Sequence, residues 1–241
     1  MKLSCIGCGP GDPDLLTVKA VERINKAQLI FAPTSKVGKP SIALSIVRKY
    51  LKEDAATVDL LFPMTKDKDL LKMQWKDNAD QLAHAVLEGK RTVYLTVGDP
   101  SLYSTWIYMH KEIAKNYKNI EIEIIPGIPS MFAFAAGARI SLAEGEETVG
   151  IVPACYDMDR IKRTASSCDT VIFLKDGRYF DSVIQMLSEA GFDDESRIII
   201  AQDVSSDSEI MKTAKLGDLK NFKTQSGKYF SIMVAKRNDK S

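Results

Sequence analysis

Apolar positions along the chain follow two alternating periods. Short runs rich in branched and aromatic residues occur at 3–6, 29–32, 57–62, 92–97 and 120–125. Between them, apolar residues return every three or four positions. The first pattern reads as strand and the second as helix. Leu16, Ala20, Ile24 and Ala27 make one helical stripe, and Ile42, Ile46, Val47 and Tyr50 a second. Trp75, Ala79, Leu82 and Val86 make a third within 74–88, closed by Gly89, and a fourth helix covers 104–116. Asp12 and Pro13 suit an N-cap and first helical position, Thr17 suits a later start, and Ser41 caps the second helix. Pro33 is expected to stop the second strand, and Pro126-Gly127 the fifth. Five strand–helix alternations predict a mostly parallel sheet with right-handed crossovers, in an N-terminal domain of residues 1–126.

The second half, 127–241, finishes differently. Strands are expected at 148–152, 170–174, 197–202, 209–214 and 229–235, with a short helix between the first two. A helix over 179–190 carries Phe180, Val183, Ile184 and Leu187 and ends at Gly191. Short connections between the last strands favour antiparallel pairing, so a mixed sheet is predicted there, with a polar tail from 236. The fold class is α/β in two domains.

Composition narrows the function. The 241 residues are 45% hydrophobic and 27% charged, which is ordinary for a globular protein. Lys and Arg total 33 against 32 acids, a net charge of +1, so no bulk field attracts nucleic acid or an anionic membrane. No apolar run approaches the ~18–20 residues of a membrane span, and the N-terminus lacks the pattern of a secretory signal. A cytoplasmic location is therefore expected. Cys5 and Cys8 form a C-x-x-C, but no second pair follows and His84 and His110 lie far off, so packing is the better reading and no metal is expected.

Three glycine-bearing loops directly follow predicted strands: 7–13, 97–102 and 126–130. In an open parallel sheet, ligands bind beyond the carboxyl ends of the strands. Glycine lets a backbone approach a ligand closely and take positive φ. Three such loops on one edge describe a site built from main-chain groups. The first loop is not G-x-G-x-x-G, and Pro10 and Asp12 stand where a pyrophosphate needs an N–H and no anion. A nicotinamide dinucleotide is disfavoured, and no phosphate-binding G-x-x-x-x-G-K or nucleophile-elbow G-x-S-x-G occurs. Asp99, between Gly98 and Pro100, either meets a ligand or caps the following turn, and the two roles are compatible.

The order Gly7-x-Gly9-Pro10-Gly11-Asp12-Pro13-x-Leu15-Leu16-Thr17, Gly98-Asp99-Pro100-x-x-Tyr103-Ser104-Thr105 and Pro126-Gly127-Ile128-Pro129-Ser130 resembles the tetrapyrrole (corrin/porphyrin) methylase family. Ser41-Ile42-Ala43, Phe62-Pro63-Met64 and Val152-Pro153-Ala154 are similar to its precorrin-2 C(20)-methyltransferase branch, which includes cobalt-factor II enzymes. The resemblance implies a two-domain homodimer of cobalamin biosynthesis with S-adenosylmethionine in the inter-domain cleft and S-adenosylhomocysteine as product. It implies cofactor contacts from Pro10, Val97, Gly98, Asp99, Leu102, Tyr103, Pro129, Ser130, Leu174 and Lys175. Val204 belongs to the same set, although many relatives carry glycine near there.

A ring bearing many carboxylates needs cations, and Lys36, Lys39, Arg139 and Arg178 are the candidates for substrate binding, with Lys175 close by. Tyr103 and Trp106 either line the cleft or pack the helix, with packing the better reading for Trp106. No residue stands out as the base that removes the C-20 proton. Two other readings keep the fold: methylation of another ring position or of a diphthamide precursor, and a non-catalytic ligand-binding protein.

Overall fold

The computed structural model describes residues 1–153, 157–174, 179–219 and 232–238. The chain divides into two units, Met1–Pro129 and Ser130–Ser241, each with its own five-stranded sheet. The protein is α/β, as the alternating periods indicated. Gly127 belongs to the first unit, where it packs on the backbone of Gly7 and Gly98.

The first unit runs β1 (Lys2–Gly7), α1 (Val18–Lys26), β2 (Leu29–Thr34), α2 (Ile42–Val47), β3 (Ala56–Leu61), α3 (Lys68–Leu87), β4 (Thr92–Thr96), α4 (Trp106–Asn116) and β5 (Glu121–Ile125). The strand order is β3-β2-β4-β1-β5 and every pair is parallel. Alternate residues of each strand feed opposite faces. Leu3, Cys5, Phe31 and Tyr94 pack under α3 and α4, while Ile6, Ile30, Val93 and Leu95 pack under α1 and α2. Cys5 and Cys8 therefore enter two different cores, and both thiols are free and buried. Burial pushes both up, Cys8 to about 12, so neither is a thiolate at neutral pH.

Four boundaries differ from the sequence pattern. Pro33 lies inside β2, paired with Leu60. Thr34 offers its carbonyl to Phe62 on the β3 side, so Pro33 faces the β4 side, where pairing stops after Phe31 and no N–H is needed. Asp12 caps only a 3-10 turn, Pro13–Leu15, and Thr17 caps α1 through the Ala20 N–H. Asp67 starts α3 six residues before the expected 74, by accepting from the Asp69 and Leu70 N–H groups. Finally α4 begins at Trp106 because Ser104 turns inward, bonded to Thr96 at 2.9 Å.

The second unit runs α5 (Ser130–Ala138), β6 (Val149–Pro153), α6 (Met158–Ser166), β7 (Thr170–Leu174), α7 (Phe180–Glu189), β8 (Arg197–Gln202), β9 (Ile210–Lys215), α8 (Leu216–Leu219) and β10 (Ile232–Lys236). The order is β6-β7-β10-β8-β9, with β6 and β7 parallel and the other pairs antiparallel. That is the mixed sheet expected. Residues 229–231 of the expected last strand lie outside the described residues, and β10 extends to Lys236. Among the described residues no helix is long and apolar enough to cross a membrane.

Candidate functional site

All five strands of the first sheet point the same way, so the turns after β1, β4 and β5 emerge at one edge. These are the three loops singled out by their glycines, and their backbones touch. Gly98 donates its N–H to the Gly9 carbonyl at 2.7 Å, and Gly9 returns the bond at 3.3 Å. Cys8 N–H reaches the Thr96 carbonyl at 2.8 Å. Gly127 closes the group from the third loop. A Cβ on Gly7 would lie 2.5 Å from Gly127 N and 2.7 Å from Gly98 O, and one on Gly127 would lie 2.3 Å from Gly98 O. Both contacts admit only glycine. Gly98 has φ +70 but open space around its Cβ position, so its requirement is conformational rather than steric.

Asp99 joins two of these loops. One carboxylate oxygen accepts from Ser101 N–H at 2.8 Å and Ser101 Oγ at 2.5 Å. The other accepts the Gly127 N–H at 3.0 Å. Burial alone would raise its pKa, but these hydrogen bonds outweigh it and hold the carboxyl below the usual range. Of the two roles open to Asp99, the cap is the one its oxygens perform here, and the partnership with Gly127 is long-range. The bond to Ser101 is the turn cap expected of Asp99, whereas Gly127 is a partner that sequence reasoning missed. The Asp-Pro-Ser spacing signals the first, since Asp side chains bond two residues on; nothing local signals the second.

Around this backbone cluster, Val97 is 41% and Tyr103 43% exposed, while Pro10, Leu102, Pro129 and Ser130 are partly covered. Tyr103 takes φ 50, unusual for a bulky residue and a mark of local constraint. Trp106 is buried at 1% and stacks on Tyr94 and His110, so it packs the helix as expected. No lysine or arginine occurs in 7–13, 97–103 or 126–130, which hold the carboxylates Asp12 and Asp99. Such a set suits a ligand carrying positive charge and repels phosphates.

Lys36 and Lys39 are exposed in the turn after β2, at the same sheet edge. The remaining candidates belong to the second unit. Leu174 ends β7, 7% exposed, opposite Ile232, which in turn faces Ala201 near the end of β8. Val204 follows β8 and is buried, between Asp203 at φ 47 and Ser205 at φ 66. Arg139 is exposed at φ 54 just after α5, whose Gly137 approaches Glu209 and Met211. Leu174 and Val204 thus lie at one end of the second sheet, whereas the carbonyl of Ser141, two residues after Arg139, accepts from Lys236 at the other end. Lys175 and Arg178 lie outside the described residues, as does Ala154 of the Val152-Pro153-Ala154 motif.

Comparison with known proteins gives these loops a context. Residues 2–220 match the family Tetrapyrrole (Corrin/Porphyrin) Methylases. A Methanocaldococcus jannaschii protein named probable cobalt-precorrin-2 C(20)-methyltransferase is 35% identical, over 92% of this chain and 97% of its own length. The cobalt-precorrin-2 C(20)-methyltransferase of Salmonella typhimurium is 32% identical over 79% of both chains. The fold matches that of a Thermus thermophilus uroporphyrin-III C-methyltransferase solved with S-adenosylhomocysteine, at TM-score 0.69 and 16% identity, covering 98% of this chain and 97% of that one. With the family match running through both units and a relative at this identity along nearly its whole length, the chain belongs to the tetrapyrrole (corrin/porphyrin) methylases.

Proposed function

We propose that this protein is an S-adenosylmethionine-dependent methyltransferase acting at C-20 of precorrin-2 or its cobalt complex, in cobalamin biosynthesis. One observation carries the reading: three backbone-lined loops, free of lysine and arginine, meet at Gly7, Gly98 and Gly127 in a chain of this family. When bound, S-adenosylmethionine supplies a methyl group already activated on a sulfonium. The residues that would hold it are Pro10, Val97, Gly98, Asp99, Leu102, Tyr103, Pro129 and Ser130. Leu174, Lys175 and Val204 are proposed as further contacts from the second unit.

What the chain contributes is placement. Fixing donor and acceptor in attack geometry is worth up to roughly 7–11 kcal/mol in well-oriented systems. The glycine contacts hold the loops in register, and Asp99 ties the second to the third. Val97, Leu102 and Tyr103 present apolar surface that excludes water. Lys36, Lys39, Arg139 and Arg178 are proposed to meet the carboxylates of the acceptor ring. We also propose a homodimer in the cytoplasm; light scattering and cell fractionation test those two points.

The decisive experiment offers the protein metal-free precorrin-2 and its cobalt form in parallel, with a labelled methyl donor, and locates the new methyl by carbon NMR. Label at C-20 is expected. Label at another ring carbon, or none from either substrate, overturns the proposal.

A further inference from the structure

The carboxyl edge of the first sheet is electrostatically divided. In the order β3-β2-β4-β1-β5, the turns after β4, β1 and β5 contain no lysine or arginine, whereas those after β2 and β3, with the first residue of α3, carry four lysines. Residues 35–40 hold Lys36 and Lys39, and residues 62–68 hold Lys66 and Lys68 against the single acid Asp67. All four lysines are exposed, and none is ion-paired among the described residues. The nearby acids are otherwise engaged: Asp67 caps α3, and Asp69 pairs with Lys72.

Both turns are built rather than loose. The buried Thr34 hydroxyl lies 2.9 Å from the carbonyls of Lys36 and of Lys39, and Lys39 N–H bonds the Lys36 carbonyl at 3.1 Å. In the other turn, Thr65 N–H bonds the Pro63 carbonyl at 3.0 Å, and Thr65 Oγ1 accepts the Asp67 N–H at 3.1 Å. Phe62 N–H bonds the Thr34 carbonyl at 2.7 Å, so the two turns leave neighbouring strands side by side. Lys68 is moreover the first residue of α3, where the helix dipole favours an anion. A cation placed against a local rule points to a use outside helix stability.

We infer that the turns after β2 and β3 together form the carboxylate-recognising side of the acceptor site, with Lys66 and Lys68 joining Lys36 and Lys39 as specificity-determining cations for a polycarboxylate ring. The inference rests on the methyltransferase reading and adds a division of the sheet edge to it: main-chain groups for the donor, lysines for the acceptor. Lysine is suited to this as a point charge that accommodates several carboxylate positions.

The test uses the whole protein and two double variants, Lys66→Gln with Lys68→Gln and Lys36→Gln with Lys39→Gln. Lys115→Gln with Lys118→Gln, near the amino edge before β5, is the control. Binding of the tetrapyrrole is read by absorbance titration without methyl donor, at two salt concentrations, and S-adenosylhomocysteine by calorimetry. Each edge variant is expected to weaken tetrapyrrole binding roughly three- to tenfold and to flatten its salt dependence. S-adenosylhomocysteine affinity and melting temperature should stay put, and the control should behave as wild type. If wild type binds both ligands and the Lys66/Lys68 variant binds the ring equally well, the inference is wrong while the function stands. An equal loss in the control also overturns it, as a general charge effect. Should wild type fail to bind the tetrapyrrole at all, the function falls and takes the inference with it.

Discussion

The Asp99 carboxylate accepts the backbone N–H of Gly127 at 3.0 Å, across 28 residues of sequence. Its second oxygen is occupied by Ser101, so one side chain fixes its own turn and the neighbouring loop together. Asparagine has one carbonyl oxygen and would turn an NH₂ toward a donor on one side or the other. Asp99→Asn and Asp99→Ala should therefore each weaken S-adenosylhomocysteine binding by about tenfold, the scale of one or two charge-assisted hydrogen bonds. Calorimetry checks this, and an unchanged affinity in Asp99→Ala would mean the clamp does not shape the donor site. The depressed pKa sets the pH range: the clamp is intact above the ordinary carboxyl range and is lost only as pH falls through the lowered folded value.

Gly7 and Gly98 should respond differently to alanine although they stand in the same cluster. A Cβ at Gly7 meets backbone at 2.5 Å, and backbone cannot swing aside. Gly7→Ala is expected to destabilise the first unit by about 3 kcal/mol or more, in the range of severe overpacking. Gly98→Ala meets nothing within 4 Å and bears only the strain of φ +70, about 1–2 kcal/mol. Urea unfolding of the two variants measures the gap. Equal midpoints would mean the loops separate more easily than their contacts indicate.

Much of this was legible in the chain, for local reasons. The five strands of the first sheet are short apolar runs punctuated by glycine and proline, and the Asp-Pro-Ser turn carries its own signature. What stayed hidden was non-local or lacked a period. Pro33 reads as a strand breaker because its neighbours in the sheet are invisible; the strand continues because β4 has already ended its pairing there. The helix α5, Ser-Met-Phe-Ala-Phe-Ala-Ala-Gly-Ala, is apolar nearly all round and offers no amphipathic stripe to read. The Asp99–Gly127 bond joins two recognisable loops, but only the fold brings them together.

Arg237 should be the most sensitive surface-proximal residue of the second unit. Its guanidinium donates to the carbonyls of Ala165 in the last turn of α6 and of Cys168 just after it, and to those of Ala190 and Gly191 after α7, and it lies over the Phe192 ring. One cation thus satisfies the carbonyl ends of two helices, where the dipoles favour positive charge. Arg237→Ala should lower stability by about 2–4 kcal/mol, and Arg237→Lys should recover little, because an ammonium cannot span four carbonyls. Thermal unfolding distinguishes them; full rescue by lysine would reduce the effect to charge alone.

Glu123 predicts an acid-side slope in stability. Its side chain is 10% exposed and is bonded by Arg23, with Lys19, Lys2 and Ser4 around it. The Arg23 hydrogen bonds lead, and against the opposing effect of burial they hold the carboxyl far below its usual range. A folded pKa below the unfolded value of about 4.3 stabilises fully above that value and is lost as pH falls toward the folded one. Glu123→Gln should be less stable than wild type at pH 7, with the difference narrowing steadily below about pH 5. Urea midpoints from pH 7 to 3 test it, and a pH-independent difference would assign the effect to packing.

Tyr103 separates stability from function most cleanly. It holds φ 50, a conformation costing a bulky residue about 1–2 kcal/mol, and the residue is 43% exposed while still engaged by another group. Glycine adopts the same φ freely but is looser in the unfolded chain, and the two effects nearly cancel or leave a small gain. Tyr103→Gly should lower the melting temperature by no more than the side chain's own interaction is worth while weakening S-adenosylhomocysteine binding, and Tyr103→Phe should retain most of that binding if the ring surface is what counts. A large fall in melting temperature with Tyr103→Gly would show instead that the tyrosine anchors the loop, and that its backbone conformation is a consequence of packing rather than of the ligand it serves.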